Sequence, residues 1–524
     1  MALTEDVEET LKHMSESKGG LYLICLFTGI ITGFVVSFYR WGLEKVSYIR
    51  EYFFEESLIN KPLLFLVVWG IFIIIGFLID FLYRKYPRTS GSGIPQVKAL
   101  ILGKMIYKKW FQELLAKFIA GILSIGAGLS LGREGPSVQL GSYIGYGFSK
   151  IFKRNYKDRN YLIISGSSAG LAGAFGAPVA GVMFSIEEIY KYINGKLLMC
   201  VFLSSIAANF VGRRIFGIQT AFNIIINYPL EINYYLQFVL YILFGIVIAF
   251  FGKLFTYSLL KAQDIFNGVK AARWLKISSI MSLSFFLCIV FPEVLGGGHD
   301  LAESLVHRKE TIIFLGLIFV LKLIFTVISY STGFAGGIFL PMLVLGALVG
   351  KIFGEIVDFL LLTGGDFTTH FIVLGMAAYF VSVVRAPLTG AILILEMTGS
   401  FVLLFAIVIV SVVSYYITEL LKQEPIYEIL YDRMRKDDIV KNQKNMNKTI
   451  IKIHVMEGSE LSRKTITEAF SLDEVLVVSI IRDEIEKIPN GHTVIKAGDV
   501  LVILLPENRV SEVKEALIKR ASVE

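Results

Sequence analysis

Charge, proline and cysteine are all scarce in this chain of 524 residues. Only 18% of its residues are charged and 12 are proline. An average soluble domain has about 25% charged residues, so an ordinary cytosolic enzyme is disfavoured. Cys25, Cys200 and Cys288 lie in separate apolar runs. Without paired spacing they indicate neither a disulfide framework nor a metal site. Six histidines are scattered without ligand spacing, leaving a membrane-embedded enzyme no evident catalytic or metal centre. Residues 1–20 are polar and acid-rich, lacking the basic region that opens a secretory signal, so no cleaved leader is expected.

What remains is strongly apolar. The chain is 55% hydrophobic, with 41 phenylalanines and a mean hydropathy of +0.65. Residues 431–524 hold 16 basic and 16 acidic side chains, whereas the first 430 hold 35 basic and 28 acidic. The net +7 therefore belongs to the apolar part. It is spread over many short loops, and no nucleic-acid partner is expected. This distribution predicts a large polytopic membrane domain followed by a small soluble one.

Runs long enough to enter a bilayer occur at 21–38, 62–83, 111–131, 198–216, 234–260, 277–291, 311–330 and 401–421. Between them lie shorter pieces broken by glycine and proline, at 136–152, 161–189, 337–361 and 387–397. Half-helices of this kind are tolerated only where protein or a water-filled cavity surrounds their ends. They point to a transport site.

An internal repeat supports that reading. Gly132-Arg133-Glu134-Gly135-Pro136, with Gly141 five residues on, matches Gly337-Ile338-Phe339-Leu340-Pro341 with Gly346. The offset is 205, from 337 − 132. Ala177-Pro178 with Gly181 and Glu187 then matches Ala386-Pro387 with Gly390 and Glu396, at an offset of 209 from 387 − 178. Two matches in one order at nearly one offset predict duplicated halves meeting at the bilayer midplane.

The tail reads differently. Residues 431–448 form a basic-rich linker, expected on the cytoplasmic side. Strand patterns follow at 449–455, 475–481 and 500–505, with a turn at Pro489-Asn490-Gly491 and an amphipathic helix over 511–520. A small α+β domain over 449–524 is predicted.

Four motifs in order carry a family resemblance across residues 21–433. They are Gly91-Ser92-Gly93-Ile94-Pro95, the Gly132–Pro136 motif, the Gly337–Pro341 motif, and Tyr427 after the last span. The chain resembles the CLC family of chloride channels and proton-coupled chloride transporters. That resemblance implies an all-α membrane domain of tilted, broken helices in two inverted repeats. It also implies a homodimer in membrane lipid with one pore per subunit. By resemblance, Ser92 and Tyr427 hydroxyls and the Ile338 and Phe339 N–H groups bind chloride. Glu134 is the gate and Glu188 the internal proton-transfer acid. Glu187 matches a neighbouring structural acid, while Arg133 and Lys117 add positive potential.

The residue chemistry agrees independently. Helix starts leave about four N–H groups unpaired and carry roughly half a positive charge. Several such starts aimed at one point bind an anion without a full cation, and the flanking glycines let the backbone approach it. An acid at such a start, as Glu134 is expected to be, competes with chloride when charged and swings away when protonated. By the family resemblance, Glu188 favours a chloride/proton antiporter over the alternative, a passive voltage- or ligand-gated chloride channel of the same fold. By the same resemblance, serine at position 92 with Tyr427 fits a chloride preference rather than nitrate, and the fluoride-specific branch departs from these motifs.

The tail resembles the carboxy-terminal regulatory domain of potassium-uptake and potassium-channel gating subunits. Ile451–Leu461, Val475–Ile480 and the stretches around Gly491 and Gly498 carry that likeness. It implies pairing across the dimer and a small ligand, with a cyclic dinucleotide the leading candidate. Arg482, Lys487 and His492 are the basic side chains on offer to its phosphates, although solvated surface charge is the commoner role for each. No other cofactor and no metal are expected. The multi-pass protein is assigned to the plasma (cell inner) membrane, with its tail cytoplasmic.

Overall fold

The computed structural model describes the chain except residues 1, 57–61, 218–219, 223, 225, 227–232, 308–309, 362–365, 439–447, 471–474, 483–484, 507–509 and 523–524. Half of the expected linker over 431–448, residues 439–447, thus lies outside the described residues. The chain divides into two compact units, residues 1–97 with 109–430, and residues 98–108 with 431–524.

The first unit is helical. Its first half contains α1 (Ala2–Glu56), α2 (Pro62–Lys85), α3 (Ile94–Ile101), α4 (Trp110–Gly126), α5 (Glu134–Ile151), α6 (Tyr156–Phe175), α7 (Pro178–Phe184) and α8 (Gly195–Phe216). The second half contains α9 (Tyr234–Gly268), α10 (Arg273–Val290), α11 (His299–His307), α12 (Ile312–Ser331), α13 (Phe339–Leu361), α14 (Asp366–Val384), α15 (Pro387–Thr398), α16 (Leu404–Leu420) and α17 (Ile426–Asp438). Eight helices among the described residues are long and apolar enough to cross a membrane.

Several elements differ from the sequence reading: α4 and α16, expected as spans, have 17 residues each, while α13, expected as a short broken piece, is long enough to cross. The polar start is not a separate segment, because α1 runs unbroken from Ala2 through the first span; its Glu, Leu, Lys and Met residues are good helix formers. The helix α14 was not anticipated. Apart from its ends it is buried almost throughout, so it shows no polar face to set it apart from its surroundings.

The halves form two inverted repeats, and their packing repeats as well. The helix α5 lies along α6 as α13 lies along α14. The first pair crosses at Gly141 and Gly166, the second at Gly346 and Gly375, where a Cβ on either glycine would run into its partner's carbonyl. Only glycine permits so close an approach. Between the halves, Gly132 and Gly337 form an antiparallel bridge.

The second unit holds the tail's four strands, β1 (Lys448–His454), β2 (Leu476–Arg482), β3 (Ile485–Lys487) and β4 (Val500–Pro506). They form one antiparallel sheet in the order β1-β4-β2-β3. Two helices complete it, α18 (Ile466–Ala469) and α19 (Val510–Ala521). Ile451, Ile453, Ile480, Leu501, Ile503 and Leu517 share its core, the inward residues of alternating strands. Thr465 and Glu468 close a capping box at the start of α18.

Candidate functional site

Three helix starts meet in the membrane unit. Gly91 and Gly93, at φ of +59° and +97°, turn the backbone so that α3 begins just after Ser92, ahead of Pro95. Ser92 is buried, and its Oγ accepts the Ile94 N–H at 3.2 Å. The start of α5 lies against it: a Cβ on Gly135 would stand 3.1 Å from Ser92 Oγ. The start of α13 is as close, since a Cβ on Gly337 would stand 3.2 Å from the Gly135 nitrogen. The free N–H groups of α13, beginning at Ile338 and Phe339, therefore converge with those of α5 on one place.

Glu134 lies at that place. It is fully buried, and its carboxylate faces the N–H groups of its own residue and of Leu340. A Cβ on Gly132 would collide with its Oε2. The acid thus covers the starts of both α5 and α13, where an anion would be held. Its charged neighbour is Arg133, and the neutral phenol of Tyr39 lies within electrostatic range of both. Pro136 sits in the first turn of α5, where its missing N–H is not needed.

Aromatic rings connect this place to Tyr427. The Phe339 centroid is 4.7 Å from Phe380, 5.3 Å from Phe175 and 6.0 Å from Phe184. Phe184 in turn stands edge-on to Tyr427 at 6.4 Å. The Tyr427 hydroxyl is buried without a protein partner, within electrostatic range of Tyr330, Glu188 and Glu134. Tyr330, which no motif marks, interacts with Ser92.

Glu188 is buried in a π-helical turn, Ser185–Tyr190, that continues α7. Turns of this kind are rare and recur at functional sites. Lys191 ends the turn in a left-handed conformation and pairs with Glu428 beside Tyr427.

Glu187 has a different task. Its carboxylate accepts the Leu388 and Thr389 N–H groups at 3.2 and 2.8 Å and the Thr389 hydroxyl at 2.7 Å, capping α15. Glu396 returns the contact, accepting the Val179 and Ala180 N–H groups at 3.1 and 2.7 Å at the start of α7. Each half's acid caps the other half's Ala-Pro helix. Lys117 is fully buried and donates to the Thr89 and Gly91 carbonyls at 2.9 and 2.7 Å, bracing the Ser92 turn.

In the tail, Arg482 is engaged within the fold. It makes a two-pronged pair with buried Asp499 at 2.7 and 2.8 Å and donates to the Val494 carbonyl at 2.9 Å.

Comparison with known proteins identifies the family. The voltage gated chloride channel family matches residues 75–419, and the TrkA-C domain matches residues 450–518. The H(+)/Cl(-) exchange transporter ClcA of Vibrio cholerae is 32% identical over 449 residues, covering 84% of this chain and 95% of that protein. The transporter of the same name from Vibrio parahaemolyticus is 33% identical over 429 residues, covering 80% and 91%. A crystal structure of a slow cyanobacterial Cl-/H+ antiporter superposes with a TM-score of 0.75 at 27% identity, covering 80% of this chain and 99% of that one. The chain belongs to the voltage gated chloride channel family.

Proposed function

We propose that this protein exchanges chloride for protons across a membrane and that its tail regulates the exchange. The observation that carries the reading is the position of Glu134, whose carboxylate lies over the starts of α5 and α13. Chloride is held by Ser92, the Ile338 and Phe339 N–H groups and the Tyr427 hydroxyl. Glu134 occupies the same dipole-favoured place when charged and vacates it on taking a proton. Glu188 passes that proton to the opposite side, while Glu187 holds the halves together. Arg133 and Lys117 raise the local potential.

The active form is a homodimer in lipid with one pathway per subunit and the tail on the cytoplasmic side of the plasma membrane. A small ligand, with a cyclic dinucleotide as the candidate, binds the paired tails. It shifts transport only by its difference in affinity for two tail arrangements.

The test is Glu134→Gln in reconstituted vesicles. A chloride gradient drives proton uptake through the native protein and none through the variant, while chloride still flows. Chloride-driven proton uptake by Glu134→Gln would refute the assignment.

A further inference from the structure

Lys322, in the middle of α12, is fully buried, and the reading above gives it no task. Its Nζ donates to the carbonyls of Val294, Leu295 and Gly296 at 2.9, 3.3 and 2.9 Å. Three acceptors for one Nζ match the three hydrogens of an ammonium group.

The arrangement repeats that of Lys117. Lys322 stands 205 residues after Lys117 (322 − 117), Val294 after Thr89 (294 − 89), and Gly296 after Gly91 (296 − 91). The bracing repeats too. Gly91 N–H donates to the Gly333 carbonyl at 2.9 Å, and Gly296 N–H donates to the Gly128 carbonyl at 3.1 Å. Ser124 Oγ donates to the Ala335 carbonyl, and Ser329 Oγ accepts the Ser130 N–H. The second half thus rebuilds, around Gly296-Gly297-Gly298, the lysine-clamped turn that presents Ser92 in the first.

The rebuilt turn adjoins the gate. A Cβ on Gly297 would stand 2.6 Å from the Leu340 side chain, and Leu340 contributes the N–H that Glu134 faces. Neither lysine makes an ion pair with a carboxylate among the described residues. A buried cation whose partners are carbonyls alone is costly to keep, and an anion held nearby would offset part of that cost.

We infer that Lys322 is a positioning residue of the anion pathway. It holds the Gly296–Gly298 turn against the start of α13 and supplies the second of two symmetry-related positive charges that favour chloride in the domain. The inference rests on the reading that chloride passes between Ser92 and Glu134.

The test is the chloride dependence of exchange by the full-length protein in vesicles. Lys322→Gln keeps N–H donors and removes the charge, whereas Lys322→Arg keeps both. The expectation for Lys322→Gln is a rise of about tenfold in half-saturating chloride, as loss of a unit charge in a partly screened interior would give. Its maximal rate should be little changed, and Lys322→Arg should restore the native value. An unchanged half-saturation in Lys322→Gln, or a fall in maximal rate alone, would overturn the inference. If Lys322→Gln does not fold, Lys322→Arg decides: native half-saturation supports the role of the charge and a tenfold shift refutes it. Ser92→Ala is measured in parallel, and a native chloride dependence there would reject the chloride site itself, whatever Lys322 does.

Discussion

Gly132 and Gly337 exchange two backbone hydrogen bonds, each 2.7 Å long. Each glycine opens the motif of its own half, so the halves touch at their equivalent residues and a local two-fold passes between them. The position of Glu134 follows from that contact. With the backbones joined there, α5 and α13 both start within reach of one carboxylate, that of Glu134.

Gly132→Ala tests this dependence. The added methyl would occupy the place of Glu134 Oε2 and stand 3.2 Å from the Leu340 nitrogen, so the carboxylate must move off both helix starts. The variant should carry chloride with weakened proton coupling, measured as a fall in protons moved per chloride at neutral pH. Native coupling in a folded Gly132→Ala protein would mean that the observed pose of Glu134 is not the one that gates.

The adjacent acids should separate cleanly. Glu188→Gln removes a buried acid from the π-helical turn without touching the helix starts, so proton transfer should stop while chloride moves passively. Glu187→Ala strips the cap from α15 and should lower unfolding stability by about 1–2 kcal/mol, with coupling retained. Thermal unfolding in detergent and proton flux in vesicles, read together, check both. If Glu188→Gln still exchanges both ions and Glu187→Ala does not, the two roles are reversed.

The reading of these acids shows how far the sequence reaches. Motifs such as Gly91–Pro95 and Gly132–Pro136 were legible because backbone turns depend on residues next to one another. The repeat was legible through the same glycines and prolines. The cross-capping of α15 by Glu187 and α7 by Glu396 was not, because it joins segments about 200 residues apart. Tyr39 and Tyr330 reach the site from apolar helices that carry no motif. Lys322 did leave a signal, since the offset of 205 that pairs Gly132 with Gly337 also pairs Lys117 with Lys322.

The tail should be acid-sensitive through one ion pair. Burial works to raise the Asp499 carboxyl, but hydrogen bonds from Arg482 and the Lys496 N–H outweigh it and hold the group below its usual range. A folded value below the unfolded value of about 3.9 stabilises the fold above that pH. The stabilisation is lost as pH falls through the folded value. Arg482→Ala leaves Asp499 buried without its main partner and should cost about 3 kcal/mol at neutral pH. Hydrogen exchange of β4 in the full-length protein reports it. Protection in Arg482→Ala equal to native at pH 7 would show that the pair does not support the sheet.

Deleting residues 449–524 should leave ion exchange intact and abolish any response to ligand. The residues placed at the ion pathway all lie within residues 1–97 and 109–430, which form their own compact unit. The tail's four strands satisfy one another in a separate sheet with its own apolar core. A ligand that favours one tail arrangement would shift transport by no more than its difference in affinity for the two arrangements. Chloride-driven proton flux, measured with and without a cyclic dinucleotide, separates the outcomes. A truncated protein that folds yet moves no chloride would make the tail part of the transport machinery rather than its regulator.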